Sequence, residues 1–178
     1  MLKKLLCALA ILTVSTTTQA ATGLYLAPTL TIKETSSDHS KYTGLQPSIA
    51  LGYAGLTSYN TYLAGEVFAT PLTLTFNDSR NSAKTGVKTT RSYGASLIPG
   101  YFLTGQVMMY LRLGAIDSVF SSPNTSRWGG QIGLGLQGHL TESLDCRGEY
   151  VYTKYRSLAH IGSVHTNQIG LGLVYSLT

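Results

Sequence analysis

The sequence predicts an all-β chain, an eight-stranded antiparallel up-and-down transmembrane β-barrel that follows an N-terminal secretory signal peptide. Three observations predict it. Residues 1–20 have the three-part layout of an export signal. The remainder divides into eight strand-like segments, the clearest of which alternate apolar and polar residues with a period of two. The connections between segments alternate between short and long, as they must when strands cross a membrane and return.

Lys3 and Lys4 precede the apolar run Leu5 to Val14, and Ser, Thr and Gln lead to Ala20, so cleavage is expected near Ala20 and residues 21–178 are expected to form one barrel domain. The apolar run is too short for a permanent anchor, and Cys7, preceded by Lys4, Leu5 and Leu6, does not mark a lipoprotein site. Losing Lys3 and Lys4 takes the basic count from 13 to 11 against 8 acidic residues, a net charge of +3. One cysteine then remains, Cys146, which has no partner for an internal disulfide. The charged fraction of 12% is about half the globular norm, while 19 glycines and 12 tyrosines are many for this length. No later stretch has the apolar length of a membrane helix. An exported chain so poor in charge is either a β-sandwich or a closed barrel with lipid on its outside, and composition leaves both open.

In order, strands are expected near Gly23 to Ile32, Leu45 to Tyr53, Tyr62 to Phe76, Arg91 to Leu103, Val107 to Ala115, Arg127 to Leu140, Leu144 to Tyr155 and Asn167 to Leu177. Thr104 to Gln106 and Thr141 to Ser143 read as tight turns and Ala54 to Asn60 as a moderate one. Lys33 to Thr43, Asn77 to Thr90, Ile116 to Ser126 and Arg156 to Thr166 read as longer polar loops. A sandwich has no reason to alternate its connections in this way, so the pattern favours the barrel.

The faces agree. Trp128, Ile132, Leu134, Leu136 and Leu140 share one parity, and Gln131, Gly133, Gly135, Gln137 and His139 the other. Ile169, Leu171, Leu173, Tyr175 and Leu177 likewise oppose Gln168, Gly170, Gly172 and Ser176. Lumen glycines leave room for large polar neighbours in a narrow barrel. Tyr53, Tyr93, Tyr101, Trp128, Tyr150 and Tyr175 are expected at the membrane interfaces. One segment resists: Leu72, Leu74 and Phe76 share the parity of Glu66, so a bulge at Pro71 is needed to switch faces.

The strand Leu144 to Tyr155 carries the strongest alternation, with Asp145, Arg147, Glu149, Val151 and Thr153 opposite Leu144, Cys146, Gly148, Tyr150 and Tyr152. Glu149 lies six residues after Ser143, Glu66 six after Asn60, and Arg112 six after Gln106. If the three strands run upward together, these charges stand at similar heights and point inward as a cluster, within the offsets that barrel shear imposes.

The run Arg147 Gly148 Glu149 Tyr150 Val151 Tyr152 Thr153 Lys154 Tyr155, the run Tyr110 Leu111 Arg112 Leu113 Gly114 Ala115, and the ending Ile169 to Leu177 resemble the small outer-membrane β-barrel family, which includes the OmpA transmembrane domain, OmpX and the opacity-type surface proteins of the porin-like superfamily. The resemblance spans the mature chain. It implies placement in the bacterial outer membrane, a lumen ionic network of Glu66, Arg112 and Glu149 with Arg147 as a fourth member, and handling by the barrel-assembly machinery during insertion. Family members usually end on an aromatic residue, whereas this chain ends Leu177 Thr178, leaving Tyr175 as the nearest aromatic. No room is expected for the periplasmic peptidoglycan-binding domain that longer relatives carry.

The expected work is structural or a surface interaction of adhesin or opacity type through the long loops. Asn77 to Arg91 sets Asp78 against Arg80, Lys84, Lys88 and Arg91, and the last loop is expected to carry Lys154 and Arg156 with His160 and His165 nearby. These basic rims suit lipopolysaccharide phosphates, the surrounding outer-membrane lipid, or anionic glycans on a host or cell surface. A small porin-like channel is the alternative. Enzymatic modification of lipid A ranks lower: His160, Ser163 and His165 fall in a loop, Asp117 lies elsewhere, and the expected His-X-Ser arrangement is missing because Gly162 holds that place. No catalytic residue, cofactor site or metal site is expected, since His160 and His165 are five apart and the Gly170 and Gly172 pair sits inside a strand. Nucleic acid is not an expected partner of an exported chain without a recognition helix.

Overall fold

The computed structural model describes residues 23–37, 40–58, 60–72, 74–78, 89–121, 124–156 and 164–177. The expected signal, its cleavage site and the basic residues Arg80, Lys84 and Lys88 lie outside the described residues. Nine strands are present among the described residues: β1 (Gly23–Ser37), β2 (Ser40–Ser58), β3 (Thr61–Thr70), β4 (Leu74–Asp78), β5 (Thr89–Phe102), β6 (Val107–Ser121), β7 (Asn124–Thr141), β8 (Leu144–Tyr155) and β9 (His165–Ser176). The strands pair antiparallel in the order β1-β9-β8-β7-β6-β5-β3-β2, with β4 also on β2, and β1 pairs with both β2 and β9, which closes the sheet on itself. Because β3 and β4 both pair with β2, they form one interrupted stave, and the barrel has eight.

The interruption is a change of register. Along β3 the pairing keeps step down to Ile49 opposite Ala69, but Leu45 faces Leu74, one residue further along β4 than that step would bring. One extra residue is therefore accommodated between Thr70 and Leu74, where Pro71 cannot donate to the ladder. The insertion reverses the faces as the sequence requires: Glu66 is 2% exposed inside, while Leu72 and Leu74 are 43% and 50% exposed outside. A second shift lies between Thr43 and Gly44.

The strands run further than their hydrophobic patterns suggest. Lys33 to Thr43 and Ile116 to Ser126, expected as loops, are largely paired strand out to Ser37 opposite Ser40 and Ser121 opposite Asn124, and β2 continues through most of Ala54 to Asn60 to reach Ser58. The reason is that a hydrogen-bond ladder satisfies the backbone whatever the side chains do, so pairing persists after the lipid-facing pattern has ended. The rim holding the turns around Thr104 and Glu142, together with Gly23 and Leu177, is the periplasmic one.

Side chains sort by parity. Leu30, Ile32, Leu97, Leu111, Leu113, Ile132, Leu134, Ile169 and Leu171 are exposed on the outer wall, where hydrocarbon rather than a second sheet covers them. Inside, three layers fill the lumen. Near the periplasmic rim Tyr62 and Phe102 meet edge to face at 6.4 Å beside Ala64, Ile98 and Met108. Charged groups occupy the middle. Near the opposite rim Phe120 and Tyr155 meet edge to face at 5.2 Å with Ile116 and Val164.

Candidate functional site

The middle layer is assembled from strands that are not neighbours. β3 contributes Glu66, β6 contributes Tyr110 and Arg112, and β8 contributes Asp145, Arg147 and Glu149, all on the inward parity of their strands. Each Glu66 oxygen accepts from a guanidinium: Arg112 Nη2 donates to Oε2 at 2.7 Å and Arg147 Nη1 to Oε1. The Tyr25 hydroxyl also donates to Oε1, at 2.9 Å. Arg112 uses its other nitrogens on Glu149 Oε2 at 3.0 Å and Ser96 Oγ at 3.1 Å. Tyr110 donates to the same Glu149 oxygen at 2.9 Å.

Arg147 carries the network downward. Its Nε and Nη2 donate to Gln137 Oε1 at 3.2 and 2.9 Å, Gln137 Nε2 donates to Asp145 Oδ2 at 2.7 Å, and Asp145 Oδ1 pairs with His139 Nδ1. The Arg147 guanidinium also lies over two rings, 5.1 Å from the centre of Tyr110 and 5.8 Å from that of Tyr25. Such stacking stabilises by about 0.5–2 kcal/mol, more where water is excluded. The Glu66 side chain has no exposed surface, so its charge is tolerable only because both oxygens are paired.

The two tyrosines fit because glycine faces them. Tyr25 stands opposite Gly52 and Tyr110 opposite Gly135, and a Cβ at either glycine would fall 2.2 Å from the tyrosine's Cζ. Above the network a cavity of about 40 Å³ remains, edged by Thr29, Thr31, Gln46, Gln131 and Gln168 and by the apolar Phe68, Ile116 and Val151. That is room for about three waters.

The model of the outer membrane protein beta-barrel domain family matches residues 5–176. The chain belongs to that family. It is an integral β-barrel of the bacterial outer membrane. Among solved structures, this barrel is similar to the Neisserial surface protein A, NspA, with 17% identity, 89% of this chain and 100% of that one covered, and a TM-score of 0.60. It is similar to Ail, the attachment invasion locus protein of Yersinia pestis, with 17% identity, coverages of 87% and 99%, and a TM-score of 0.54. The outer membrane enzyme PagL shares the fold at 10% identity, with coverages of 86% and 99% and a TM-score of 0.54. At these identities the likeness is one of fold. None of the curated proteins compared matches this barrel in sequence.

In this outer-membrane barrel Glu66, Arg112, Arg147 and Glu149 share one lumen network. Of the basic residues expected at the loops, Arg91 and Lys154 lie within β5 and β8, as the expected strand bounds put them, and with Arg156 they stand exposed on the outer wall. The backbone of Arg156 still pairs with Trp128 just beyond β8, which is why these side chains flank strands rather than crown a loop. Asp117 accepts from Tyr93 and Ser126 on the outer wall, three strands away from His165 on β9, which packs on Tyr152 instead. Among the described residues no group of three or more His, Cys, Asp or Glu is placed to hold a metal.

Sequence reasoning missed Tyr25, Ser96 and Tyr110 as network members, and took Gln137 and His139 only as lumen fillers. The signal for Tyr110 was present, since it lies two residues before Arg112 and so on the same face. Its partners were not legible, because parity tells lumen from lipid but not what a lumen tyrosine touches.

Proposed function

We propose that this barrel acts at the cell surface through its outer rim, as an adhesin- or opacity-type protein that meets anionic glycans and does no catalysis. The observation that carries this reading is the filled lumen: an apolar layer, a closed ionic network and a second apolar layer leave the outer rim as the surface available for a partner. The sequence between β4 and β5 carries Arg80, Lys84 and Lys88 ahead of Arg91, a net positive stretch suited to such a partner. The crystal structure of Ail in complex with the heparin analogue sucrose octasulfate, at 18% identity and a TM-score of 0.57, supports a glycan as the partner class.

Cells expressing the parent should bind heparin-coated beads, and the triple variant Arg80→Gln, Lys84→Gln, Lys88→Gln should lose most of that binding at equal surface expression. Equal binding by both removes the glycan reading. Unaltered lipid A in the mass spectrum of expressing cells is the corresponding expectation for the absence of catalysis. Maturation is proposed to cleave the signal near Ala20, which N-terminal sequencing of the exported protein tests, and Tyr175 is proposed as the feature offered to the assembly machinery.

A small porin-like channel is the second reading, favoured by the cavity beside Arg112. Planar-bilayer recording distinguishes the two, because a channel should conduct in the parent and conduct more in Arg112→Ala.

A further inference from the structure

We infer that His139 and Asp145 form a pH-sensitive latch at the periplasmic mouth of the lumen, held fast while the imidazole carries a proton and slackened when the proton leaves. The pair faces across β7 and β8, where register sets His139 opposite Asp145 and Gln137 opposite Arg147. The backbone N–H of His139 donates to Gln106 O at 3.0 Å, which ties it to the turn at the periplasmic rim. Phe102, Gln106 and Met108 close round the two side chains, which are 11% and 6% exposed.

The surroundings make the imidazole the charge partner of Asp145. Asp145 Oδ1 pairs with His139 Nδ1, and Oδ2 accepts from Gln137 Nε2 at 2.7 Å. Arg147, the next cation inward, has its three nitrogens on Gln137 Oε1 and Glu66. β6 presents Met108 and then the Tyr110 hydroxyl, which donates to Glu149. β5 presents Phe102, β9 sets Val174 opposite Asp145, and Glu142 in the turn is exposed. Among the described residues the one ion pair of Asp145 is therefore with His139.

Histidine is the side chain whose charge ordinarily changes between about pH 5 and about pH 8. With the imidazole protonated, the buried carboxylate sits in a salt bridge; without the proton it keeps only neutral donors, whose hydrogen bonds are roughly half as strong. Gln137 transmits the difference. Its amide donates to Asp145 through Nε2 and accepts from Arg147 through Oε1, so loosening Asp145 releases the amide that positions Arg147 against Glu66. Acid at the periplasmic mouth thus tightens the lower end of the network, and alkali loosens it. The latch lies at the rim away from the loops and does not rest on the glycan-binding reading.

The test is a double-mutant cycle of His139→Gln and Asp145→Asn in the mature barrel folded in detergent. Urea unfolding is read at about pH 5 and about pH 9, on either side of the histidine range. The coupling between the two residues should be about tenfold in the unfolding equilibrium constant at the lower pH and close to none at the higher. In nuclear magnetic resonance spectra of the parent, the Gln137 side-chain amide should titrate together with the His139 ring, and in His139→Gln it should not move. Coupling of equal size at both pH values, or a Gln137 resonance that stays fixed while His139 titrates, overturns the latch. Heat-dependent gel mobility equal to the parent's shows that the variants remain closed barrels. Should Asp145→Asn fail to fold, the Gln137 titration in the parent still decides.

Discussion

The ring of Tyr110 lies across Gly135 on the neighbouring strand, so close that a single added carbon would stand 2.2 Å from its Cζ. On backbone entropy alone Gly135→Ala should stabilise the strand by about 0.5–1 kcal/mol. Here the added methyl must displace the ring, which breaks the hydroxyl's 2.9 Å bond to Glu149 and moves the ring from Arg147. A net loss of about 2 kcal/mol is expected, within the range for a hydrogen bond to a charged group. In a Tyr110→Ala background the same substitution should cost little, and a double-mutant cycle by urea unfolding from detergent reads the coupling. Additive losses would mean that the two residues are energetically independent.

Arg112→Ala removes the cation that joins Glu66 to Glu149. Glu66 keeps Arg147, but Glu149 is left with only the Tyr110 hydroxyl. Stranding a buried carboxylate costs about 3–5 kcal/mol, and water from the adjacent cavity brings the expectation to about 3 kcal/mol. Adding Glu149→Gln should restore part of it. A variant that unfolds at the parent's urea concentration would show that the network does not brace the barrel.

The residue inserted between Thr70 and Leu74 sets which face β4 turns to lipid. Deleting Pro71 alone removes the extra residue, so β4 should continue the register of β3 with Leu72 and Leu74 still facing lipid and keep the heat-modifiable form on gels. Deleting Pro71 together with Leu72 leaves the stretch one residue short and should turn Leu74 inward and abolish that form, because a one-residue slip exchanges the faces of every residue beyond it. Pro71→Ala keeps the count and should fold. A double-deletion variant as resistant to detergent as the parent would contradict the bulge's role.

Cys146 is a free thiol on the outward parity of β8, next to Leu173 on β9. A nitroxide attached there should be relaxed strongly by oxygen dissolved in lipid and weakly by a water-soluble nickel chelate. The same label on Thr153→Cys, which is buried in the lumen wall, should lose the oxygen effect. Equal oxygen accessibility at both positions would contradict the assignment of faces.

The alternation in β7, β8 and β9 made their lipid and lumen faces legible, because a strand repeats every two residues and the low charge left little else to cover the apolar side. The inward direction of Glu66, Arg112 and Glu149 was legible for the same reason. The ends of β1, β2, β6 and β7 were not, since beyond the membrane the ladder continues under Ser and Thr that carry no facing signal.

What the sequence by itself determined is the strand count, the parity of the clearest staves and the need for one face reversal near Pro71, all of them local properties of a period-two chain. The tertiary structure alone decided which lumen groups meet. Arg147 reaches Glu66 across 81 residues and Tyr25 reaches it across 41, distances over which spacing along the chain says nothing. Closure and stagger of the barrel bring them to one point, and the small size of Gly52 and Gly135 lets the tyrosines lie there.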